Sequence, residues 1–188
     1  MYVSSGNKKI HKSCLIFNLP TSVCFGCGKQ CKSCFALKAE YMYPNVLPCR
    51  LNNLKDSKKS SFTSEMIKNL SKRTKKIMRI HESGDFYSQS YINKWKEIIQ
   101  ALPHIQFYAY SKKLNKFDFS EICSLPNFNV INSKPTEKLA NYGSLQYINM
   151  LKEKYGYDIC PCGIEENLEK EKICMNTCKL CLLSLIHI

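Results

Sequence analysis

Twelve cysteines in 188 residues are the chain's chemical signature, and nine of them fall into two clusters. The first reads Cys24-Phe-Gly-Cys27-Gly-Lys-Gln-Cys31-Lys-Ser-Cys34. From Cys27 its spacing is Cys-x3-Cys-x2-Cys, and three thiolates so placed can wrap one face of a [4Fe–4S] cube and leave its fourth iron open. Gly26 and Gly28 let such a loop turn back, so that its amides reach the cluster sulfurs. Counted with Cys24, the same thiolates form paired Cys-x2-Cys units able to hold zinc tetrahedrally. The second cluster is Cys160-Pro-Cys162 followed by Cys174, Cys178 and Cys181, which repeats the spacing. One of its first two cysteines with the later three makes four ligands, for structural zinc or a fully ligated second iron–sulfur cluster. Cys14, Cys49 and Cys123 stand alone and are expected to pack in the interior.

A second set of polar residues lies mid-chain: His81-Glu82-Ser83-Gly84-Asp85, then Ser111-Lys112-Lys113 and Ser133-Lys134. His81, Glu82 and Asp85 are candidates for acid–base steps. Ser83, Gly84, Asp85, Ser111 and Lys112 are candidates for holding a cofactor: Gly84 lets the backbone approach, Asp85 supplies an anion and Lys112 can meet a phosphate. Plainer readings stand beside these. Ser-Gly-Asp makes an ordinary turn, Asp85 can cap backbone amides, and a histidine ending an apolar strand is commonly structural.

These groups need a scaffold that brings them to one edge. Residues 14–17 read as a short apolar strand, and residues 35–43 as a helix stopped by Pro44. Residues 63–70 read as an amphipathic helix opened by a hydroxyl cap. Residues 76–81 alternate like a strand. Residues 90–102 then carry Ile92, Trp95, Ile98, Ile99 and Leu102 at helical steps, with Trp95 in the core. Strands follow at 105–110 and 128–132, with a short helix near 119–124 between them and another helix at 142–154. Strand–helix–strand repetition predicts an α/β fold, either a partial or open barrel or a parallel-rich sheet with crossover helices. The polar runs then fall at the carboxyl ends of parallel strands, where such folds bind ligands. Residues 1–155 read as the α/β domain, with the cysteine loop 24–34 inside it, and residues 156–181 as a C-terminal metal or cluster module. Residues 182–188 are apolar without period or cap, resemble translated adapter read-through, and are expected to be non-native.

The net charge of +13 favours phosphate-bearing partners, a nucleotide or nucleic acid. Only Arg50, Arg73 and Arg79 among the 28 basic residues are arginine, so the charge supplies a field more than base readout. No apolar run is long enough to span a bilayer. Residues 1–12 are polar and lysine-bearing, unlike a secretory signal, so a cytoplasmic chain is expected, with cysteines serving metal and not disulfides.

Two resemblances follow from these residues. The loop Cys27-x3-Cys31-x2-Cys34 resembles that of radical S-adenosylmethionine enzymes, with Ser33 where those have an aromatic residue. That likeness implies S-adenosylmethionine on the open iron, an external reductant, and Ser83-Gly84-Asp85 as the glycine-bearing motif beside the cofactor's ammonium group. The run from Arg79 to Trp95 (Arg-Ile-His-Glu-Ser-Gly-Asp-Phe-Tyr-Ser-Gln-Ser-Tyr-Ile-Asn-Lys-Trp) resembles the phage "gene product 88" family. Phe107-Tyr-Ala-Tyr-Ser-Lys112, Asn18-Leu19-Pro20 and Cys34-Phe-Ala resemble it too. This second likeness implies a phage or prophage protein in a bacterial host and carries no settled activity. The expected function is therefore an iron–sulfur enzyme acting on a nucleotide or nucleic acid. The alternative is a zinc-stabilised binding module contacting nucleic acid or a host protein.

Overall fold

Short strands of alternating apolar residues build the centre of the molecule, in a computed structural model that describes residues 1–7, 10, 12–24, 34–132, 158–159 and 186–187. β1 (Ser4–Ser5) pairs antiparallel with β2 (Cys14–Phe17). After β2 come the helices α1 (Phe35–Met42), α2 (Val46–Lys58) and α3 (Phe62–Ser71), and then β3 (Ile77–Ile80). α4 (Gln89–Ala101) leads to β4 (Gln106–Ser111), and the short α5 (Ser120–Cys123) leads to β5 (Phe128–Asn132). The sheet order is β1-β2-β3-β4-β5, with β2 to β5 all parallel, so the fold is α/β on a mixed, parallel-rich sheet.

Strand alternation sorts the side chains onto two faces. Leu15, Phe17, Met78, Ile80, Phe107, Ala109, Phe128 and Val130 share one core with the apolar stripes of α3, α4 and α5. α3 contributes Phe62, Met66 and Leu70, one per turn, while α4 contributes Tyr91, Ile92, Trp95, Ile98 and Ile99. Phe17 and Phe62 meet the Trp95 ring edge-on, with centroids 5.6 and 5.8 Å away. Such pairs add about 0.5–1.5 kcal/mol each beyond area burial. The second face carries Cys14, Ile16, Tyr108 and Ile131 with Ile10 against them, and among the described residues no helical one joins that cluster.

Three local expectations are corrected. α3 starts at Phe62, and neither Ser61 nor a threonine caps it with a side-chain hydrogen bond; the capped helix is α4, where Ser88 Oγ accepts from the Tyr91 amide at 3.2 Å. Cys123 is exposed and Cys49 half-buried, so of the lone cysteines only Cys14 is a core residue. α2 was not anticipated, because it buries the polar stripe Arg50, Asn53 and Ser57 instead of an apolar one. Its Pro48 falls in the first turn, where the missing N–H would have had no helical partner.

The expected helix at 142–154 lies outside the described residues, as does most of the C-terminal cysteine module. Asp158–Ile159 (β6) and Ile186–His187 (β7), the latter inside the segment expected to be non-native, pair as two parallel strands. Among the described residues no helix is long and apolar enough to cross a membrane.

Candidate functional site

Both stems of the cysteine loop are held by one buried carboxylate. The chain leaves β2 through Asn18-Leu19-Pro20, makes a single 3-10 turn at Thr21–Val23, and reaches Cys24, whose amide donates to the Thr21 carbonyl at 2.9 Å. It returns at Cys34, the residue before α1, whose carbonyl accepts from the Lys38 amide at 3.0 Å. Glu40 on α1 then accepts from the Thr21 amide at 2.8 Å and the Thr21 hydroxyl at 2.6 Å. The Arg50 guanidinium completes the clamp, donating to Glu40 at 2.9 Å and to the Ala36 carbonyl at 2.9 Å. The Arg50 and Glu40 side chains are 9% and 6% exposed, so the pair is nearly dry. Cys27, Cys31, Cys160, Cys162, Cys174, Cys178 and Cys181 lie outside the described residues. Among the described residues no three His, Cys, Asp or Glu side chains are grouped to hold a metal.

The turn after β3 is bonded to the entry stem. Asn18 Oδ1 accepts from the amides of Glu82 and Ser83 at 2.8 and 2.9 Å. Leu19 N–H donates to the Ser83 carbonyl at 3.0 Å, and Ser83 Oγ donates back to the Leu19 carbonyl at 3.0 Å. Gly84 has φ +84, and a Cβ there would stand 2.5 Å from Leu19 Cβ. Only glycine combines that dihedral with so close an approach.

Asp85 ties this turn to the end of β4. Its Oδ1 accepts from the Phe86 amide at 2.7 Å and Ser111 Oγ at 2.7 Å, and its Oδ2 accepts from the Lys112 amide at 2.9 Å. Burial pushes the Asp85 carboxyl up from its usual value, against the opposing pull of the Lys112, Ser111 and Phe86 donors. Ser111 is buried and also accepts from the Lys113 amide at 3.0 Å. Ser83, Gly84, Asp85, Ser111 and Lys112 thus come together, joined chiefly through the backbone.

His81 and Glu82 part company. His81 has φ +65, which breaks strand alternation and carries its ring from the second face to the helix side. There it stacks on Tyr91, with Nε2 2.9 Å from the Tyr91 hydroxyl, and meets Phe86 edge-on. Burial lowers its pKa to about 3, aided by the Arg79 charge, so the ring is neutral at physiological pH. Glu82 is half-exposed, bonded by Asn7 Nδ2, and opens onto a groove of about 300 Å³ lined by Ile16, Asn18, Cys49, Arg50 and Asn53. Of the expected acid–base residues, Glu82 alone reaches a solvent-open cavity among the described residues.

Arg79 belongs to the family-like run, and the sequence assigns it no role. It lies on the second face, in register between Ile16 and Tyr108, with its guanidinium 4.7 Å from the Tyr110 ring centroid. Asn18, Glu40 and Arg50 carry no signal in the sequence either, since polar side chains that bond backbone or each other leave no periodic pattern. A separate groove of about 510 Å³ on α3 is lined by Glu65, Lys68, Asn69, Lys72 and Arg73.

Comparison with known proteins adds a lineage. The Gene product 88 family model matches residues 2–178. The chain is 32% identical to the Gene 88 protein of Mycobacterium phage L5 and 30% identical to that of Mycobacterium phage D29, each over 107 residues. Each alignment covers 51% of this chain and 43% of the relative, so the match spans less than half of either relative's length. No solved structure matches.

Proposed function

The chain belongs to the phage Gene product 88 family, and from that premise we propose that it is an iron–sulfur, radical S-adenosylmethionine-like enzyme acting on a nucleotide or nucleic acid. One observation carries the reading. The stem that enters the cysteine loop and the Ser83-Gly84-Asp85 turn leave the carboxyl ends of adjacent parallel strands and are bonded to each other through Asn18 and Leu19. In parallel α/β sheets that edge is where ligands bind.

Cys27, Cys31 and Cys34 would hold a [4Fe–4S] cluster, with Cys24 as the spare thiolate. With S-adenosylmethionine bound and an external reductant, that group supplies hydrogen-abstracting radical chemistry. The chain's own contribution is positioning. Glu40 and Arg50 hold the stems, Gly84 permits close backbone approach, and Asp85 fixes the turn against Ser111 and Lys112. Glu82 is the acid–base group exposed to substrate, while His81 is a neutral ring held in the core against Tyr91 and Phe86. Lys55, Lys58, Lys68, Lys72 and Arg73, exposed along and just past α2 and α3, supply the field that draws in a polyanion. Cys160, Cys162, Cys174, Cys178 and Cys181 would hold zinc or a second cluster.

Metal and acid-labile sulfide analysis of protein purified without oxygen tests this. About four iron and four sulfide per chain, with spectral change on adding S-adenosylmethionine, is expected for one such site. Cys31→Ala should abolish S-adenosylmethionine cleavage while Cys123→Ala leaves it intact. Zinc without sulfide refutes the enzyme and leaves a zinc-stabilised binding module.

A further inference from the structure

Large apolar side chains left in solvent are informative when they gather. Among the described residues they gather on the α1–α2 hairpin. Phe35, Tyr41 and Tyr43 are 62%, 82% and 57% exposed there, beside the exposed Met42, Leu47 and Leu51. α1 buries only Ala36 and is fastened through Glu40 to Arg50 and Thr21, so its outer side adds nothing to the core. Phe35, Lys38, Tyr41 and Met42 stand at i, i+3, i+6 and i+7, which puts them on the side of the helix away from Ala36 and Glu40. α2 carries a second exposed stripe, Leu47, Leu51, Lys55 and Lys58, at i, i+4, i+8 and i+11.

The outward charge of the hairpin has one sign. From Cys34 to Lys59 the carboxylates are Glu40 and Asp56, and both are neutralised. Arg50 clamps Glu40, while the Met1 amino group and Lys59 bond Asp56. Lys38, Lys55 and Lys58 are exposed. A protein-binding patch keeps charge out of its centre, whereas here a lysine stands among the rings. Exposed rings interleaved with lysines, without a competing carboxylate, suit a chain of unpaired bases and phosphates. A duplex fits less well, since its bases are already stacked on one another. The hairpin also offers no arginine fork to read a groove, because Arg50 is buried against Glu40.

We propose that the outer surface of the α1–α2 hairpin binds single-stranded nucleic acid, with Phe35, Tyr41 and Tyr43 stacking on bases and Lys38, Lys55 and Lys58 meeting phosphates. Phe35 directly follows Cys34, so the strand is held beside the exit stem of the cysteine loop. The partner class rests on the nucleic-acid reading above; the surface itself needs no cluster.

Fluorescence anisotropy of the full chain tests it, with a labelled oligothymidylate, an abasic strand of the same length and a duplex as probes. The oligothymidylate should bind at least about tenfold more tightly than the abasic strand, and Phe35→Ala and Tyr41→Ala should each remove about tenfold of that affinity. Phe35→Tyr and Tyr41→Phe keep the rings and should keep the affinity. The alanine variants should leave the salt dependence unchanged, whereas Lys38→Gln should flatten its log–log slope by about 0.7. Lys116→Gln, an exposed lysine beyond β4, controls for net charge and should bind like wild type. Oligothymidylate binding that is indifferent to both alanine variants, or matched by the abasic strand or exceeded by the duplex, overturns the hairpin site and leaves the nucleic-acid reading standing. Absence of binding to all three probes overturns both. Two further results also refute the proposal by showing the surface already covered. One is a melting temperature lowered by several degrees in Tyr41→Ala, which places another part of this chain on it. The other is a wild-type dimer in sedimentation that Tyr41→Ala dissociates, which places a second copy there.

Discussion

Gly84→Ala is the sharpest probe of the junction between the cysteine loop and the sheet. Two costs add. An L-residue at φ +84 is strained by about 1 kcal/mol. The new methyl also meets Leu19 Cβ at 2.5 Å and the Leu19 Cα and carbonyl carbon at 3.1 Å. Leu19 is fully buried and bonded to Ser83 through its amide and its carbonyl, so it cannot withdraw without breaking that pair. Forcing a methyl into so tight a site costs about 1–3 kcal/mol. The total is about 2–4 kcal/mol, or roughly 4–16 °C in melting temperature for a chain of this size. Urea denaturation gives the free energy, and metal content of the same preparation reports whether the displaced stem still delivers its thiolates. A loss under about 1 kcal/mol with metal content unchanged would refute the view that Gly84 holds the loop stem in place.

Two further perturbations address the groups on either side. His81 is buried neutral with its pKa lowered to about 3, so its stabilising contribution is complete above its unfolded value near 6.5 and is lost as pH falls toward 3. Wild-type stability should therefore drop by on the order of a few kcal/mol between about pH 6.5 and 4. His81→Asn, which tolerates the left-handed backbone, should show a much flatter profile in chemical denaturation, and parallel profiles would contradict the assignment. Glu40→Gln strands the Arg50 charge beside a neutral amide and weakens both bonds to Thr21. A destabilisation of roughly 3 kcal/mol with reduced metal retention is expected, and wild-type behaviour in both assays would show that the clamp is dispensable.

Strands were legible wherever they alternate or run apolar: β2, β3, β4 and β5 fall close to where the residue pattern puts them, as do α1 and α4. α2 was not, and the reason is physical. Periodicity detects apolar stripes, whereas α2 is fastened by Arg50 to Glu40, by Asn53 to the Tyr2 and Asn18 carbonyls, and by Ser57 to the Tyr87 hydroxyl. Polar side chains that bond backbone leave the same composition as a solvated loop. The site was legible in part for the same reason. Its residue types stood out, yet their burial depends on dihedrals no pattern reveals. One left-handed residue turns His81 into the core while Glu82, its neighbour, stays at the groove.

The Glu40 clamp separates scaffold from content. Among the described residues, the stems of the loop are joined by Thr21, Ala36, Glu40 and Arg50, all outside the interval between Cys24 and Cys34. Such a frame can tolerate changes of length and sequence in that interval while its stems keep their places. Evolution within such a lineage can alter the loop by rewriting a handful of codons, and a protein engineer can graft a different loop sequence into the same frame.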